Sequence, residues 1–160
     1  QVLVRVVVGA VSGYGRIADL FSGAGNFALP LASTGAKVLA VEGSASAVNT
    51  GADNARRLGL TSVRFQGGDL SRPAAWRQVG EFSPDAAVLD PPRTGAKGIG
   101  QTLLGMRSLR RLAWVSCDVV NTLRDARPLL DAGWRVSDMA LFDMFPGTWH
   151  MEVLLILDRP

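Results

Sequence analysis

Short apolar runs alternate with helix-spaced stretches along nearly all of the 160 residues, and that rhythm leaves few folds open. Arg16–Leu20, Lys37–Val41, Ser62–Gln66, Asp85–Asp90 and Ala113–Cys117 read as buried strands. Trp134–Phe142 and Thr148–Leu157 read as a closing antiparallel hairpin. Helices are expected from the Gly-rich turn after Leu20 to Ser33, from a Ser44 cap to Leu58, over Gln101–Leu109 and over Asn121–Ala132. Val2–Val11 is β-branched enough for helix or strand, and a helix packed on the sheet is preferred. Strands and helices alternating at these lengths predict an α/β fold, a doubly wound and mostly parallel seven-stranded sheet that ends in the antiparallel hairpin.

Open sheets of this kind collect ligands at the carboxyl ends of their strands. Asp19-x-x-x-Gly23-x-Gly25 lies between the first strand and the first helix, Glu42 closes the second strand, and Asp69 follows the third. The glycines let a ligand approach the backbone, and an acid in the place of Glu42 can hold both ribose hydroxyls. Asp69 is suited to an adenine amino group. A dinucleotide site wants a third glycine where Ala28 stands, and Asn26 and Phe27 crowd the turn against a pyrophosphate. Acids at three successive strand ends favour a cationic, phosphate-free nucleoside, and S-adenosylmethionine is such a compound. Loop capping is the competing account of Glu42 and Asp69.

Cys117 is the only cysteine, so no intrachain disulfide forms, and a reducing compartment, the cytoplasm, is expected. A free cysteine is commonly inert packing, but at a strand's carboxyl end the sulfur is placed for chemistry. Asp90-Pro91-Pro92-Arg93 follows a buried strand and faces the same crevice. Methylases of exocyclic amines place an aromatic ring after a comparable acid-or-amide, Pro, Pro turn; Arg93 stands there instead and counts against amine methylation. In Thr148-Trp149-His150-Met151-Glu152 the two-residue period puts Thr148, His150 and Glu152 on one face. If the last strand runs antiparallel to the rest, Glu152 enters the crevice of Cys117 and Asp90. Its apolar flanks then raise its pKa and suit it to act as a general base. His150 reads as an ordinary hydrogen-bonded side chain. No His/Cys cluster has metal-ligand spacing, and no metal is expected.

The length suits a single domain over 1–160. A formal charge of +3 permits an anionic partner without demanding one. Arg107, Arg110, Arg111, Arg124 and Arg127 read as solvated helix faces. No apolar run reaches membrane-span length, so no membrane partner is expected. The start, Gln1-Val2-Leu3-Val4-Arg5-Val6, has no signal-peptide order and no initiator Met, and a fragment of a longer chain is expected.

With Asp19-Leu-Phe-Ser-Gly-Ala-Gly-Asn-Phe27, Leu89-Asp-Pro-Pro-Arg-Thr-Gly95, Val115-Ser-Cys117, Arg124-Asp125 and Asp143-Met-Phe-Pro-Gly-Thr-Trp-His-Met-Glu152 assembled, the chain resembles the RNA uracil-5-methyltransferases. These make 5-methyluridine in tRNA and 23S rRNA with S-adenosylmethionine. The resemblance implies a Rossmann-like methyltransferase fold, an RNA partner (rRNA or tRNA) and catalysis by Cys117, Glu152 and Asp90. Cys117 would add to carbon 6 of uracil, and Glu152 would remove the carbon-5 proton after methyl transfer. It also implies cofactor contacts from Asp19, Phe21, Gly23, Gly25, Asn26, Glu42, Asp69 and Asp90, and uracil contacts from Pro91, Arg93 and His150. A monomer is expected.

Two departures stand out. Relatives follow the nucleophile with Asn-Pro, whereas Asp118-Val119 stand here, and a carboxylate beside Cys117 would oppose a thiolate unless Arg93 or Arg124 offsets it. The family's amino-terminal RNA-gripping portion has no counterpart in these residues. Two alternatives follow: a cytosine-5 methyltransferase, disfavoured because Arg93 and Thr94 occupy the loop where that chemistry keeps a cysteine, and a non-catalytic S-adenosylmethionine-binding remnant.

Overall fold

Leu3, Val7 and Val11 recur at helical spacing and are buried together, which makes α1 (Val2–Ala10) a helix despite its β-branched residues. The computed structural model describes residues 1–144 and 151–160, and the candidates Thr148 and His150 lie outside them. After α1 come β1 (Arg16–Leu20), α2 (Ala28–Ser33), β2 (Lys37–Glu42), α3 (Ala45–Arg57), β3 (Val63–Gly67) and α4 (Pro73–Phe82). Then follow β4 (Ala86–Leu89), α5 (Ile99–Leu104), β5 (Arg111–Ser116), α6 (Val119–Asp131), β6 (Arg135–Asp143) and β7 (Met151–Asp158). They form one seven-stranded sheet in the order β3-β2-β1-β4-β5-β7-β6. β7 is antiparallel to both β5 and β6, and the remaining pairings are parallel.

β1, β4 and β5 are apolar on both faces, as strands covered by helices on each side must be. Ile17, Val38, Val88 and Val115 pack with Leu3, Val7 and Leu31 on the α1–α2 side. Leu20, Leu39, Leu89 and Trp114 pack with Val79, Leu103 and Leu129 on the α4–α6 side. The chain order turns back between β1 and β4, so the loops after these two strands frame the crevice.

Three elements differ from the sequence reading. α4 was not foreseen, although Pro73 at its first turn and the buried pair Ala75 and Val79 at helical spacing are its signals. α5 ends at Leu104 rather than Leu109, because the chain leaves the helix through a capping Gly105. β5 ends at Ser116, and Cys117 stands in the bend that follows.

Gly25 shows how tightly the first turn is built. Its φ is +97°, and a Cβ there would lie 2.6 Å from Cζ of Phe65, whose ring also lies against Gly51. Gly25→Ala therefore combines left-handed strain with a clash, and should cost about 2 kcal/mol. A thermal melt should show a fall of about 6 °C; an unchanged midpoint would mean that the ring moves aside freely.

Candidate active site

The turn after β1 is drawn toward β2 by backbone bonds, with Ser22 N–H donating to Val41 O (3.1 Å) and Gly25 N–H to Ser22 O (2.9 Å). Phe21 adopts a φ of 63°, a strained value for an aromatic residue. The Glu42 carboxylate joins two turns: Gly23 N–H donates to Oε2 at 2.9 Å and Ser44 N–H to Oε1 at 2.8 Å. Each carboxylate oxygen keeps a second lone pair for a ligand hydroxyl. Asp69 is exposed and caps its own turn, accepting from Ser71 N–H (2.9 Å) and Ser71 Oγ–H (2.6 Å) and pairing with Arg72. Those bonds, the Ser71 hydroxyl first, hold its pKa below the ordinary value.

Glu42, Asp69 and Asp90 line a cleft of ≈ 390 Å³ together with Phe21, Leu70 and Pro92. A neighbouring hollow of ≈ 690 Å³ shares Phe21, Asp69, Leu70 and Pro92 and extends to Trp76 and Lys97. These are the dimensions of small-molecule sites. Among the described residues, three acids and no cation line the smaller cleft. That donor set fits a cationic nucleoside and repels a phosphate.

Several expected contacts are corrected. Asp19 is fully buried, so it supports the turn from beneath and cannot touch a ligand in the cleft. Pro91 is buried, and its neighbour Pro92 is the proline that lines the cleft. Asn26 is exposed but stands outside both hollows. Gly25 is buried against Phe65, which accounts for it by packing. Of the arginines read as solvated helix faces, Arg111 lies instead on β5 and pairs with Asp158, and Arg124 pairs with the buried Asp125, whereas Arg127 is exposed on α6 with Asp131 beside it.

Burial raises the Asp19 pKa to about 8, against a smaller opposing pull from the Ala28 N–H, and Asp90 and Glu42 add repulsion. Neither carboxyl oxygen completes a hydrogen bond of ordinary geometry. The native state thus holds a proton that the unfolded chain releases near pH 4, and the stability so contributed declines as pH rises from about 4 to 8. Asp19→Asn should abolish this decline. Relative to wild type, its melting midpoint should rise by about 10 °C between pH 5 and pH 8, on the order of 4 kcal/mol. A difference that stays constant across that range would refute the buried proton.

At the other end of the crevice the Ser116 hydroxyl straddles Cys117. It accepts from Asp118 N–H at 2.9 Å and lies 3.0 Å from Asp118 O, which folds the chain tightly around a half-buried cysteine. Asp118 then caps α6, accepting from Asn121 N–H (3.0 Å) and Asn121 Nδ2 (2.9 Å), so its charge faces the helix terminus. β5 and β7 pair Ser116 with Val153 as the last pair of their register, and Cys117 and Glu152 are the next residues of their two segments beyond it. Asp90 senses the charge of Glu152. Asp90 opens to solvent yet sits among enough protein atoms that burial, then repulsion from Glu152, raises its pKa to about 6. Burial also raises Glu152, opposed by the positive charge of Arg93.

Residues of α6 hold the loop after β4, and the sequence reading missed most of them. Asn121 Nδ2 donates to Arg93 O (2.9 Å), Arg124 Nη2 to Thr94 O (3.2 Å) and Ala96 N–H to Asp125 Oδ2 (2.6 Å). Gly95 is obligatory in this loop, having a φ of +73° and no room for a Cβ beside Arg124 and Asp125. The available signal was the Asp118-x-x-Asn121 capping spacing. Among the described residues no group of three His, Cys, Asp or Glu could hold a metal ion.

The chain matches the tRNA (Uracil-5-)-methyltransferase family over residues 6–160. It is 38 % identical over 144 residues to the 23S rRNA (uracil(1939)-C(5))-methyltransferase RlmD of Klebsiella pneumoniae, covering 90 % of this chain and 33 % of that protein. The same figures hold for RlmD of Salmonella typhimurium. The chain thus spans about a third of the length of the curated relatives it matches. Among solved structures, the Pyrococcus abyssi tRNA (uracil-54, C5)-methyltransferase in complex with S-adenosyl-L-homocysteine superposes with a TM-score of 0.82 at 26 % identity, covering 97 % of this chain and 37 % of that one. With its sheet order, its acidic cleft and a family match along nearly its whole length, the chain belongs to the tRNA (uracil-5-)-methyltransferase family.

Proposed function

We propose that this chain is the catalytic part of an enzyme that methylates carbon 5 of a uridine in rRNA or tRNA through a covalent Cys117–uracil adduct. The main support is the antiparallel β5–β7 pairing, whose last pair, Ser116 with Val153, lies next to Cys117 and Glu152 in the chain, together with the repulsion from Glu152 that Asp90 senses at the acidic cleft. Glu42 and Asp69 would hold the nucleoside part of S-adenosylmethionine, and Asp90 would face its positive end. When bound, that cofactor supplies an electrophilic methyl group.

The chain's own residues account for the remaining chemistry. Uracil carbon 5 is too weak a nucleophile unaided. The Cys117 sulfur adds to carbon 6 and pushes the ring electrons to carbon 5 and the neighbouring carbonyl, and carbon 5 then takes the methyl group. Glu152 removes the carbon-5 proton. The electrons of that C–H bond re-form the ring double bond, and the C6–S bond breaks to return the thiolate. Dividing one hard step in two in this way is the gain from covalent catalysis. The base must leave its stack to reach the crevice, and Arg93, on the loop after β4, would meet the extruded ring's carbonyl edge.

The test is to incubate the full-length protein with S-adenosylmethionine and RNA carrying 5-fluorouridine. Fluorine cannot leave as a proton does, so the reaction should stop at an adduct that survives denaturation and maps to a Cys117 peptide. Methylated RNA without any such adduct would remove the covalent step. Absence of methylation on both rRNA and tRNA would remove the function.

A further inference from the structure

Cys117 and the Asp90–Arg93 turn lie on two separate loops. Cys117 follows β5, and Asp90 and Arg93 follow β4. Asn121, in the first turn of α6, touches both loops. Its Nδ2 donates to Arg93 O at 2.9 Å and to Asp118 Oδ2 at 2.9 Å, and its Oδ1 accepts from Arg124 Nη1 at 2.7 Å. Asp118 in turn is bound through its own N–H to Ser116 Oγ at 2.9 Å, on the other side of Cys117. The amide has only one workable orientation. Turned over, its oxygen would face a carbonyl and a carboxylate, and its NH₂ would face a guanidinium.

We propose that Asn121 is a positioning residue that sets the distance between the Cys117 turn and the loop bearing Asp90 and Arg93. The inference rests on the reading of Cys117 as the nucleophile. Both hydrogens of the Asn121 amide are spent, one on each loop, so the two halves of the site move as one body. Uracil must be gripped at carbon 6 by the sulfur and along its polar edge by the opposite loop, and an error of about 1 Å between them costs on the order of 100-fold in rate. The same pair accounts for the departure at position 118. The Asp118 carboxylate is occupied by the backbone and side chain of Asn121, so it serves as part of the brace.

Asn121→Asp and Asn121→Ala in the full-length protein test this. Asn121→Asp keeps the size of the side chain and the acceptor for Arg124, but turns an oxygen toward Arg93 O and Asp118. At saturating RNA and S-adenosylmethionine, both variants should lose roughly 10- to 100-fold in kcat. S-adenosylhomocysteine should bind within about 2-fold of wild type, and KM for RNA should change little. A variant that melts near wild type with kcat within about 2-fold overturns the proposal, as does a loss confined to KM. Failure of wild type to form the 5-fluorouridine adduct instead overturns the Cys117 reading, and the two failures are read on different proteins.

Discussion

Cys117→Ser should reduce uridine methylation by roughly ten-thousand-fold or more, while S-adenosylmethionine binds within about 2-fold of wild type. The substitution keeps the shape of the turn, because the bonds that fold it run between Ser116 and Asp118 and do not involve the sulfur. What changes is the nucleophile. A serine hydroxyl is scarcely ionised near neutrality and is a far weaker nucleophile than a thiolate, so carbon 6 is not attacked at a useful rate and carbon 5 stays inert. The cofactor cleft is lined from β1, β2, β3 and β4, and Cys117 is not part of it. Transfer of labelled methyl groups to RNA, with calorimetry of cofactor binding, separates the two effects. A serine variant that retains a tenth of the wild-type rate would mean that the sulfur is not the attacking atom.

The frame of this site was legible because periodicity carries it. The runs at β1, β2 and β4 are apolar on both faces, and that pattern gave the parallel sheet and the acids at its carboxyl edge. The course of the last strand was legible in the same way: a strand antiparallel to the others must begin where they end, and β7 pairs antiparallel with β5, Val153 near its start opposite Ser116 at the end of β5. Asp19 was misread because its place in a Gly-rich motif does not reveal which way the side chain points; strand alternation sends it under the turn, beside Ile17 on the α1–α2 side. Pro91 failed for a related reason, since either proline of the pair could have faced the cleft. The brace around Asn121 was not legible because it joins residues 28 apart through a backbone carbonyl, which has no signature in the sequence. Asp118 carried a visible capping signal that its position beside the cysteine outweighed.

Glu152→Gln should convert the enzyme from one that turns over to one that stalls on its own product. Addition of Cys117 and methylation of carbon 5 need no proton acceptor, so both proceed in the variant. The next step requires removal of the carbon-5 proton, and glutamine cannot accept it, so the C6–S bond persists. Turnover should fall by roughly 100- to 10,000-fold, and a denaturation-resistant complex should accumulate with ordinary uridine RNA, where wild type shows only a transient one. The pH dependence offers a second reading. Desolvation by the surrounding protein, then repulsion from Glu152, raises the Asp90 pKa to about 6, and burial raises that of Glu152. If both must be ionised, wild-type activity rises with pH through an acid limb near 6 that belongs to the pair rather than to either residue. Glutamine at 152 removes the repulsion and leaves only burial, so the limb for adduct formation in the variant should move to lower pH. If Glu152→Gln instead turns over normally, or halts before any adduct forms, the proton is taken elsewhere and Asp90 becomes the residue to test.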